Sequence, residues 1–298
     1  MPVKAETLYQ RILRRARRLV PPRAFHMVQE RCRERSGIEI GGPSAVFERW
    51  NLWPLYPVVG ALDNYNFAIR TIWSGQKRAA SRFNVIARRQ PHGRQFIGEA
   101  SEMTEIQSSA YDFLLASHVL EHIANPLKAL CTWIRVVGPE GTIVIVVPHR
   151  DGTFDHRRPI TSLEHIVKNF AENVTENDQT HLQEILKLHD LSRDPGAGTR
   201  DAFIERAKNN NEYRSLHHHV FNTELVLKLV DKAGLRILYV DVELPYHICV
   251  ACAPRPVSDL AEEGQPAAGN SSFWSPLAPW RRKGLFRSDR EPAQERGC

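Results

Sequence analysis

Short apolar runs alternate with longer amphipathic stretches through the first half of the chain. The apolar runs predict strands at residues 38–40, 57–62, 95–97, 111–117 and 142–147. An amphipathic pattern between the last two runs predicts a helix over residues 126–137. Strands that alternate with helices favour a parallel sheet that is covered by helices on both faces.

The pattern changes after residue 221. Asn222 or Thr223 can cap a helix that runs to about Lys232, and Gly234 is placed to end it. Two strand-like runs come next, at residues 235–243 and 246–252, and a tight turn joins them. This part of the chain therefore predicts a helix and then an antiparallel hairpin.

Composition divides the chain into three parts. Residues 1–35 are basic, with a helical pattern around residues 9–20 that Pro21-Pro22 interrupts. Residues 36–253 form the predicted main domain, in which the polar, histidine-rich residues 150–221 interrupt the strand pattern as a lid or substrate subdomain. Residues 254–298 are rich in Pro, Ala, Arg and Ser and predict a disordered tail.

The overall composition is that of a soluble globular protein, with 42% hydrophobic and 25% charged residues in 298. No stretch approaches the roughly 20 apolar residues of a membrane span, and the N-terminus lacks the apolar core of a secretory signal. The five cysteines are scattered, and only Cys249 and Cys252 form a CxxC pair. A reducing, cytoplasmic setting is therefore expected.

The net charge of +6 is unevenly distributed, since nine arginines lie between Arg11 and Arg35. One interpretation is a solvated basic helix at the edge of the domain. The other is docking onto anionic lipid or a phosphorylated substrate, which would make the protein membrane-peripheral. Nucleic acid is not favoured as a partner, because no RNA- or DNA-binding motif accompanies the charge.

One segment carries most of the functional information. Residues 111–126, YDFLLASHVLEHIANP, resemble the fourth-strand segment of class I S-adenosylmethionine (SAM)-dependent methyltransferases of the type 11-like group. The turn at residues 138–142 resembles the entry to the fifth strand of the same group. Residues 37–44, 149–159 and 217–222 show a narrower resemblance to bacterial methyltransferase-domain proteins, many of which are encoded in glycan-modification gene neighbourhoods.

This resemblance covers about residues 35–253. It implies an α/β fold, a Rossmann-like class I methyltransferase sheet with helices on both faces and a C-terminal antiparallel hairpin. It also implies SAM as the cofactor.

The predicted cofactor site lies at the carboxyl ends of the first four strands. Gly41 and Gly42 lack a Cβ, so the backbone there can approach a nucleotide closely. Asp63 is expected to follow the second strand, where an acidic side chain can accept the ribose hydroxyl protons. The resemblance adds residues from the ends of the first, third and fourth strands: Glu39, Glu99, Ala100, Ser117 and His118.

The glycine loop departs from the family pattern, because Pro43 and Ala45 occupy positions where further glycines are expected. This departure keeps open a methyltransferase-like scaffold without catalysis. The absence of GxGxxG argues against a dinucleotide oxidoreductase.

The candidate catalytic residues are His149, Asp155, His156 and His122, with His149 as the preferred base for a hydroxyl group. An alternative is that His149 and Asp155 only brace their loop. The segment also offers mixed metal ligands in His149, Asp151, Asp155 and His156. No metal is expected from the sequence.

Two histidine motifs have competing interpretations. Residues 118–122 match the H-x-x-E-H zinc motif of some metalloproteases, but they follow a buried strand and precede a proline, so the methyltransferase interpretation is favoured. Residues 217–219 are three consecutive histidines, and a polar surface segment is favoured over a role near the substrate.

The resemblance predicts methyl transfer to an oxygen of a sugar, a glycan or another small hydroxylated acceptor. Nitrogen or carbon acceptors and the non-catalytic scaffold are the alternatives.

Overall fold

The computed structural model describes residues 23–68, 70–71, 75–76, 82–84, 92–243 and 246–256. The predicted basic helix around residues 9–20 and most of the predicted tail lie outside the described residues. The chain divides into two units between Arg255 and Pro256, and every described helix and strand belongs to the first unit. Within the described ranges, no helix is long and apolar enough to cross a membrane.

The centre of the fold is an eight-stranded mixed sheet in the order β5-β6-β2-β1-β7-β8-β10-β9. Strands β6, β2, β1, β7 and β8 are parallel, whereas β5, β10 and β9 pair antiparallel with their neighbours. The short strands β3 and β4 form a separate two-stranded ribbon. The bounds are β1 Ser36–Ile40, β2 Ala61–Asn66, β3 Arg70–Thr71, β4 Gly75–Gln76, β5 Arg82–Asn84, β6 His92–Ile97, β7 Phe113–Ser117, β8 Thr142–Pro148, β9 Leu235–Glu243 and β10 His247–Pro254.

Seven α-helices are described. They are α1 Arg23–Cys32, α2 Pro126–Val137, α3 Leu163–Ala171, α4 Leu182–Leu188, α5 Arg200–Lys208, α6 Asn210–Tyr213 and α7 Thr223–Lys232. Short 3₁₀ turns lie at Ala45–Phe47, Leu120–His122, Arg150–Gly152, Leu191–Arg193 and Pro195–Ala197.

The predicted fold class is confirmed: parallel strands and helices build a Rossmann-like sheet that ends in an antiparallel hairpin. Strand β8 is buried along its whole length, which explains its continuous run of Ile and Val. Helix α1 packs Phe25 and Val28 into the core cluster that also contains Phe113 and Val144 from the sheet.

The helix predicted at residues 126–137 is confirmed to the residue. The side chain of Asn125 caps it by accepting a hydrogen bond from the backbone N–H of Lys128, and Pro126 occupies the first turn. Gly138 ends the helix with a φ of +69°, where a Cβ would come within 2.2 Å of Ser109 Oγ. Helix α7 is capped by Asn222, as predicted.

The predicted second strand is wrong in its position, since β2 runs from Ala61 to Asn66 instead of over residues 57–62. The cause is that Asn64 and Asn66 are polar yet buried in the strand, so the apolar run ends before the strand does. The parallel register pairs Ile38 of β1 with Asp63, which therefore lies inside β2.

The histidine-rich insertion between β8 and α7 is folded. It contains helices α3 to α6, and a small apolar cluster of its own holds them together. The cluster consists of Ile185, Ala197, Phe203, Ala207 and Leu216.

Candidate functional site

The loop after β1 needs glycine at both predicted positions. Gly41 has a φ of +78°, and a Cβ there would lie 2.7 Å from Val119 Cγ2. At Gly42 a Cβ would lie 2.2 Å from the carboxyl carbon of Glu39. A Cβ at either position would therefore require the side chain of Val119 or Glu39 to shift.

Hydrogen bonds from buried polar side chains fix the loop that follows β1. The Tyr56 hydroxyl donates to Glu39 Oε2 at 2.7 Å and accepts from the Ser44 N–H at 2.7 Å. Asn64 Nδ2 donates to the Gly42 carbonyl oxygen at 3.1 Å. Burial, followed by the charge of Glu39, raises the pKa of the Tyr56 hydroxyl, so it stays a donor. These contacts fix the loop, in which Pro43 stands where the resemblance predicts a glycine.

Asp63 was predicted to follow the second strand, but it lies inside β2. Its carboxylate accepts hydrogen bonds from the backbone N–H of Arg94 at 2.6 Å, from Arg94 Nη2 at 3.0 Å and from the Tyr111 hydroxyl at 2.6 Å. Tyr111 precedes β7, so these contacts direct Asp63 towards the amino end of that strand and away from the glycine loop. The geometry argues against the predicted ribose contact.

Asn66 is the polar side chain at the carboxyl end of β2. It shares a strand face with Asn64, because side chains two residues apart point the same way. Asn66 is buried, and among the described residues its Nδ2 has no hydrogen-bond partner. Asn66 was not predicted as a site residue, although its two-residue spacing from Asn64 could have indicated it.

Glu99 and Ala100 follow β6 as predicted. The Ala100 carbonyl accepts from Trp133 Nε1 at 3.0 Å, which fixes the backbone there. Glu99 accepts from Arg214 Nη2 at 2.9 Å, and Arg214 also contacts Glu176 at 2.5 Å. Arg214 thus joins the predicted cofactor side to the insertion.

Ser117 ends β7, and His118 follows it in an unusual backbone conformation with a φ of +53°. This left-handed conformation is uncommon outside glycine. His118 is 39% exposed in its side chain, its Nε2 lies 3.0 Å from His247 Nδ1, and its Nδ1 lies 3.4 Å from Glu121 Oε1. The rim of the sheet therefore turns sharply at the end of β7.

Directly behind His118 lies a group of four side chains that we call the inner cluster: Glu121, Asp155 and His217, which are buried, and His122, which is partly buried. His217 Nδ1 lies 2.5 Å from Asp155 Oδ2, and the rings of His122 and His217 meet edge to face with centroids 4.7 Å apart. His122 Nδ1 donates to the Leu216 carbonyl oxygen at 2.9 Å. Two of the predicted catalytic residues, His122 and Asp155, are thus brought together.

The pKa shifts in the inner cluster follow from burial and neighbouring charges. Burial, followed by the nearby His217, lowers the pKa of His122 to about 4, so this imidazole is neutral at pH 7. Burial opposes ionisation of Asp155, but His217 and Arg158 hold the pKa of that carboxyl at about 2.

Arg158 anchors the cluster from the insertion. Its side chain is fully buried, and Nη1 donates to Asp155 Oδ1 at 2.9 Å and to the His217 carbonyl oxygen at 2.8 Å. Its Nε donates to Glu184 Oε1 at 2.7 Å. Arg158 was not predicted as a site residue, since a buried arginine has no signature in a hydrophobic pattern.

The structure shows contacts of His149 and His156 with residues outside the inner cluster. His149 Nδ1 accepts from the Asp151 N–H at 3.2 Å and caps the turn after β8, which matches the alternative that it braces the loop. His156 Nε2 instead contacts Asp190 Oδ2 at 2.8 Å.

The interpretation of His217, His218 and His219 as surface residues is wrong, because all three are buried. The backbone N–H of His219 donates to the Glu121 carbonyl oxygen at 3.3 Å, which draws this segment against the end of β7. Polar composition alone could not distinguish a buried histidine network from a solvated one.

The family of the chain is shown by sequence comparison. Residues 9–240 match the sequence profile of a family described as a methyltransferase domain. The chain belongs to this methyltransferase family. No curated protein matches it significantly.

Several solved structures of methyltransferases are remotely similar. A SAM-dependent methyltransferase from Methanosarcina mazei is 14% identical, with a TM-score of 0.42 over 76% of this chain and 96% of that one. The 1,6-didemethyltoxoflavin-N1-methyltransferase from Burkholderia thailandensis is 11% identical, with a TM-score of 0.42 over 86% and 93%. The trans-methyltransferase CalH, in complex with SAH, is 14% identical with a TM-score of 0.42 over 78% of this chain, which spans only 55% of CalH. No activity is carried over from these remote similarities.

Proposed function

We propose that this methyltransferase transfers the methyl group of SAM to a hydroxyl oxygen of a small polar acceptor such as a sugar. The observation that carries the proposal is the inner cluster, a largely buried set of imidazoles and carboxylates directly behind the carboxyl end of β7. In open α/β sheets, ligands bind outside the carboxyl ends of the strands. This position supports the assignment of the cluster to the side of the site that receives the methyl group.

The residues at the glycine loop fit SAM. Gly41 and Gly42 lack a Cβ, so the backbone of the loop can approach a ligand closely, and side chains of Val119 and Glu39 fill the space where a Cβ would lie. We assign Asn66, at the end of β2, to the ribose hydroxyls in place of Asp63, and the segment at Glu99 and Ala100 to the adenine. Bound SAM supplies an electrophilic methyl group on a positively charged sulfur.

The acceptor side is formed by the insertion. His217 and Asp155 come from the residues between β8 and α7, whereas Glu121 and His122 follow β7. A hydroxyl acceptor must lose its proton as it attacks, and a neutral imidazole nitrogen accepts such a proton well. The helices of the insertion would exclude water and align the acceptor with the methyl group. Such alignment can lower the activation free energy by about 7–11 kcal/mol.

The test begins with calorimetric titration of the full chain with SAM and with S-adenosylhomocysteine. We expect micromolar binding of both ligands, followed by transfer of radiolabelled methyl from SAM to an acceptor in a panel of sugars and glycans. Mass and fragmentation analysis of the product then distinguishes oxygen from nitrogen or carbon methylation. A well-folded protein that binds neither ligand would contradict the proposal and favour a non-catalytic scaffold.

A further inference from the structure

Three ligand-bearing side chains of the inner cluster converge on one point. Glu121, His122 and His217 each offer one nitrogen or oxygen atom, and these atoms all lie within 4.8 Å of one another. They come from two separate segments, the 3₁₀ turn Leu120–His122 after β7 and the end of the insertion. The fold therefore assembles the group from residues about 95 positions apart in the sequence.

The hydrogen bonds behind the two imidazoles fix their tautomers. A carbonyl oxygen only accepts, so the Leu216 carbonyl requires a proton on Nδ1 of His122. The Asp155 carboxylate likewise favours a proton on Nδ1 of His217. In these tautomers both Nε2 atoms carry lone pairs. An imidazole oriented by a carboxylate or carbonyl behind it is typical of histidines that bind metals.

Glu121 supplies an anion in the same place. It is 0% exposed, and neither carboxylate oxygen has a hydrogen-bond partner among the described residues. The closest polar nitrogen that the structure shows beside it is His118 Nδ1, at 3.4 Å from Oε1. A buried carboxylate without donors is costly unless a cation is bound to it.

We propose that Glu121, His122 and His217 bind one divalent transition-metal ion. Two imidazoles and one carboxylate suit Zn²⁺, Mn²⁺ or Fe²⁺, and three protein ligands leave positions open for an exogenous oxygen. The role of the ion rests on the proposed function: since both Nε2 atoms would be bound to the ion, the ion would take the place of an imidazole base, bind the acceptor hydroxyl and lower its pKa so that the proton passes to solvent. No metal was expected from the sequence, because nothing in it places His217 beside Glu121.

A competing arrangement needs no metal. His217 could carry two protons and bridge Asp155 and Glu121 as an imidazolium, which would neutralise the same buried charge. Direct measurement of metal binding separates these arrangements.

A second group of histidines provides matched controls. His165, His181 and His219 also bring their nitrogens within 4.8 Å of one another, with His165 Nε2 3.0 Å from His181 Nε2. This group contains no carboxylate. Substitutions of His165 and His181 change the histidine content of the insertion without replacing a residue of the inner cluster.

The experiment measures the binding of Zn²⁺ and Co²⁺ alone to the full chain, after chelator treatment and in the absence of SAM. Equilibrium dialysis is expected to give one ion per chain at the inner cluster, and bound Co²⁺ is expected to show visible d–d bands. Glu121→Gln and His217→Asn should each weaken binding at least 100-fold. Asp155→Asn, which leaves the three ligands in place but changes the partner of His217 Nδ1, should weaken it about 10–100-fold. His165→Asn and His181→Asn should leave this binding and its spectrum unchanged.

Circular dichroism and urea unfolding establish that each variant is folded. The proposal is overturned if the folded wild-type protein binds no ion. It is also overturned if Glu121→Gln and His217→Asn retain wild-type affinity, or if only the His165 and His181 variants lose the ion.

A separate titration of the metal-free protein with SAM distinguishes this inference from the proposed function. SAM binding without metal binding leaves the methyltransferase proposal standing and removes the metal. Metal binding at the cluster without SAM binding supports the metal site and contradicts the methyltransferase proposal.

Discussion

Replacement of Arg158 by methionine tests whether the inner cluster is held by the insertion. The guanidinium is fully buried and donates to Asp155, Glu184 and the His217 carbonyl. Methionine fills most of the same volume but donates nothing, so Asp155 loses the guanidinium inside the protein and keeps only His217 of these two partners. Removing one member of a buried ion pair typically costs about 3–5 kcal/mol, and we expect a loss of that size in the free energy of unfolding.

The neighbouring residue is a matched control. Arg157 is 55% exposed in its side chain and contacts Asp190 at 3.1 Å. Since exposed ion pairs contribute about 0–1 kcal/mol, Arg157→Met should be nearly neutral. Arg158→Lys keeps the charge but loses the planar arrangement of donors, so its loss of stability should lie between those of Arg158→Met and Arg157→Met.

The assay is equilibrium urea unfolding monitored by circular dichroism and tryptophan fluorescence. The two probes should give coincident transitions, and the slope of the free energy against urea should be unchanged between variants, so that the midpoints report stability. If Arg158→Met and Arg157→Met were destabilised equally, or Arg158→Met by less than about 1 kcal/mol, the buried pair would not stabilise the insertion in the way described.

Three further outcomes are expected. Asn66→Leu should weaken SAM binding at least tenfold in calorimetry while Asp63→Asn leaves it within twofold, and the opposite ranking would restore Asp63 as the ribose ligand. Gly42→Ala should lower the affinity for SAM or the stability, because its Cβ would lie 2.2 Å from the Glu39 carboxyl carbon; unchanged affinity and unfolding midpoint would show that the loop relaxes freely. Burial, with Glu99 nearby and against the attraction of Arg214, raises the pKa of Glu176 to about 7. The folded protein then holds this proton more tightly than the unfolded chain, so the stabilisation is complete below about pH 4.5 and is lost as the pH rises through about 7. Glu176→Gln should therefore be more favourable relative to wild type at pH 8 than at pH 5, and an equal effect at both would refute the shift.

The sheet could largely be predicted from the sequence because its central strands are buried on both faces. Strand β8 and helix α2 have strong periodic signals and clear end signals, such as Asn125 at the start of α2 and Gly138 at its end. The predicted position of the second strand was wrong because Asn64 and Asn66 are buried polar residues, and burial of polar residues cannot be recognised from the hydrophobic pattern.

The candidate site was predicted in part. His122 and Asp155 were identified, but the contact that joins them runs through His217, which lies 62 residues beyond Asp155. The run of three histidines does not indicate from its sequence that it is buried. Glu121 belongs to a motif that also fits a metalloprotease, so its burial in this fold could not be predicted from the motif. Long-range pairings of this kind depend on how the insertion folds against β7.

The position of the insertion has an evolutionary consequence. The chain leaves the sheet after Pro148 and rejoins the sheet-covering helices at Thr223, and the loop in between folds around a small core of its own. Because the entropy of closing a loop grows only slowly with its length, a sheet of this kind can exchange one such insertion for another at little cost. Here the insertion also carries Asp155, Arg158 and His217. An exchange would thus replace the proposed acceptor side and half of the inner cluster in a single event, so that the choice of substrate and the groups proposed to act on it would be inherited together.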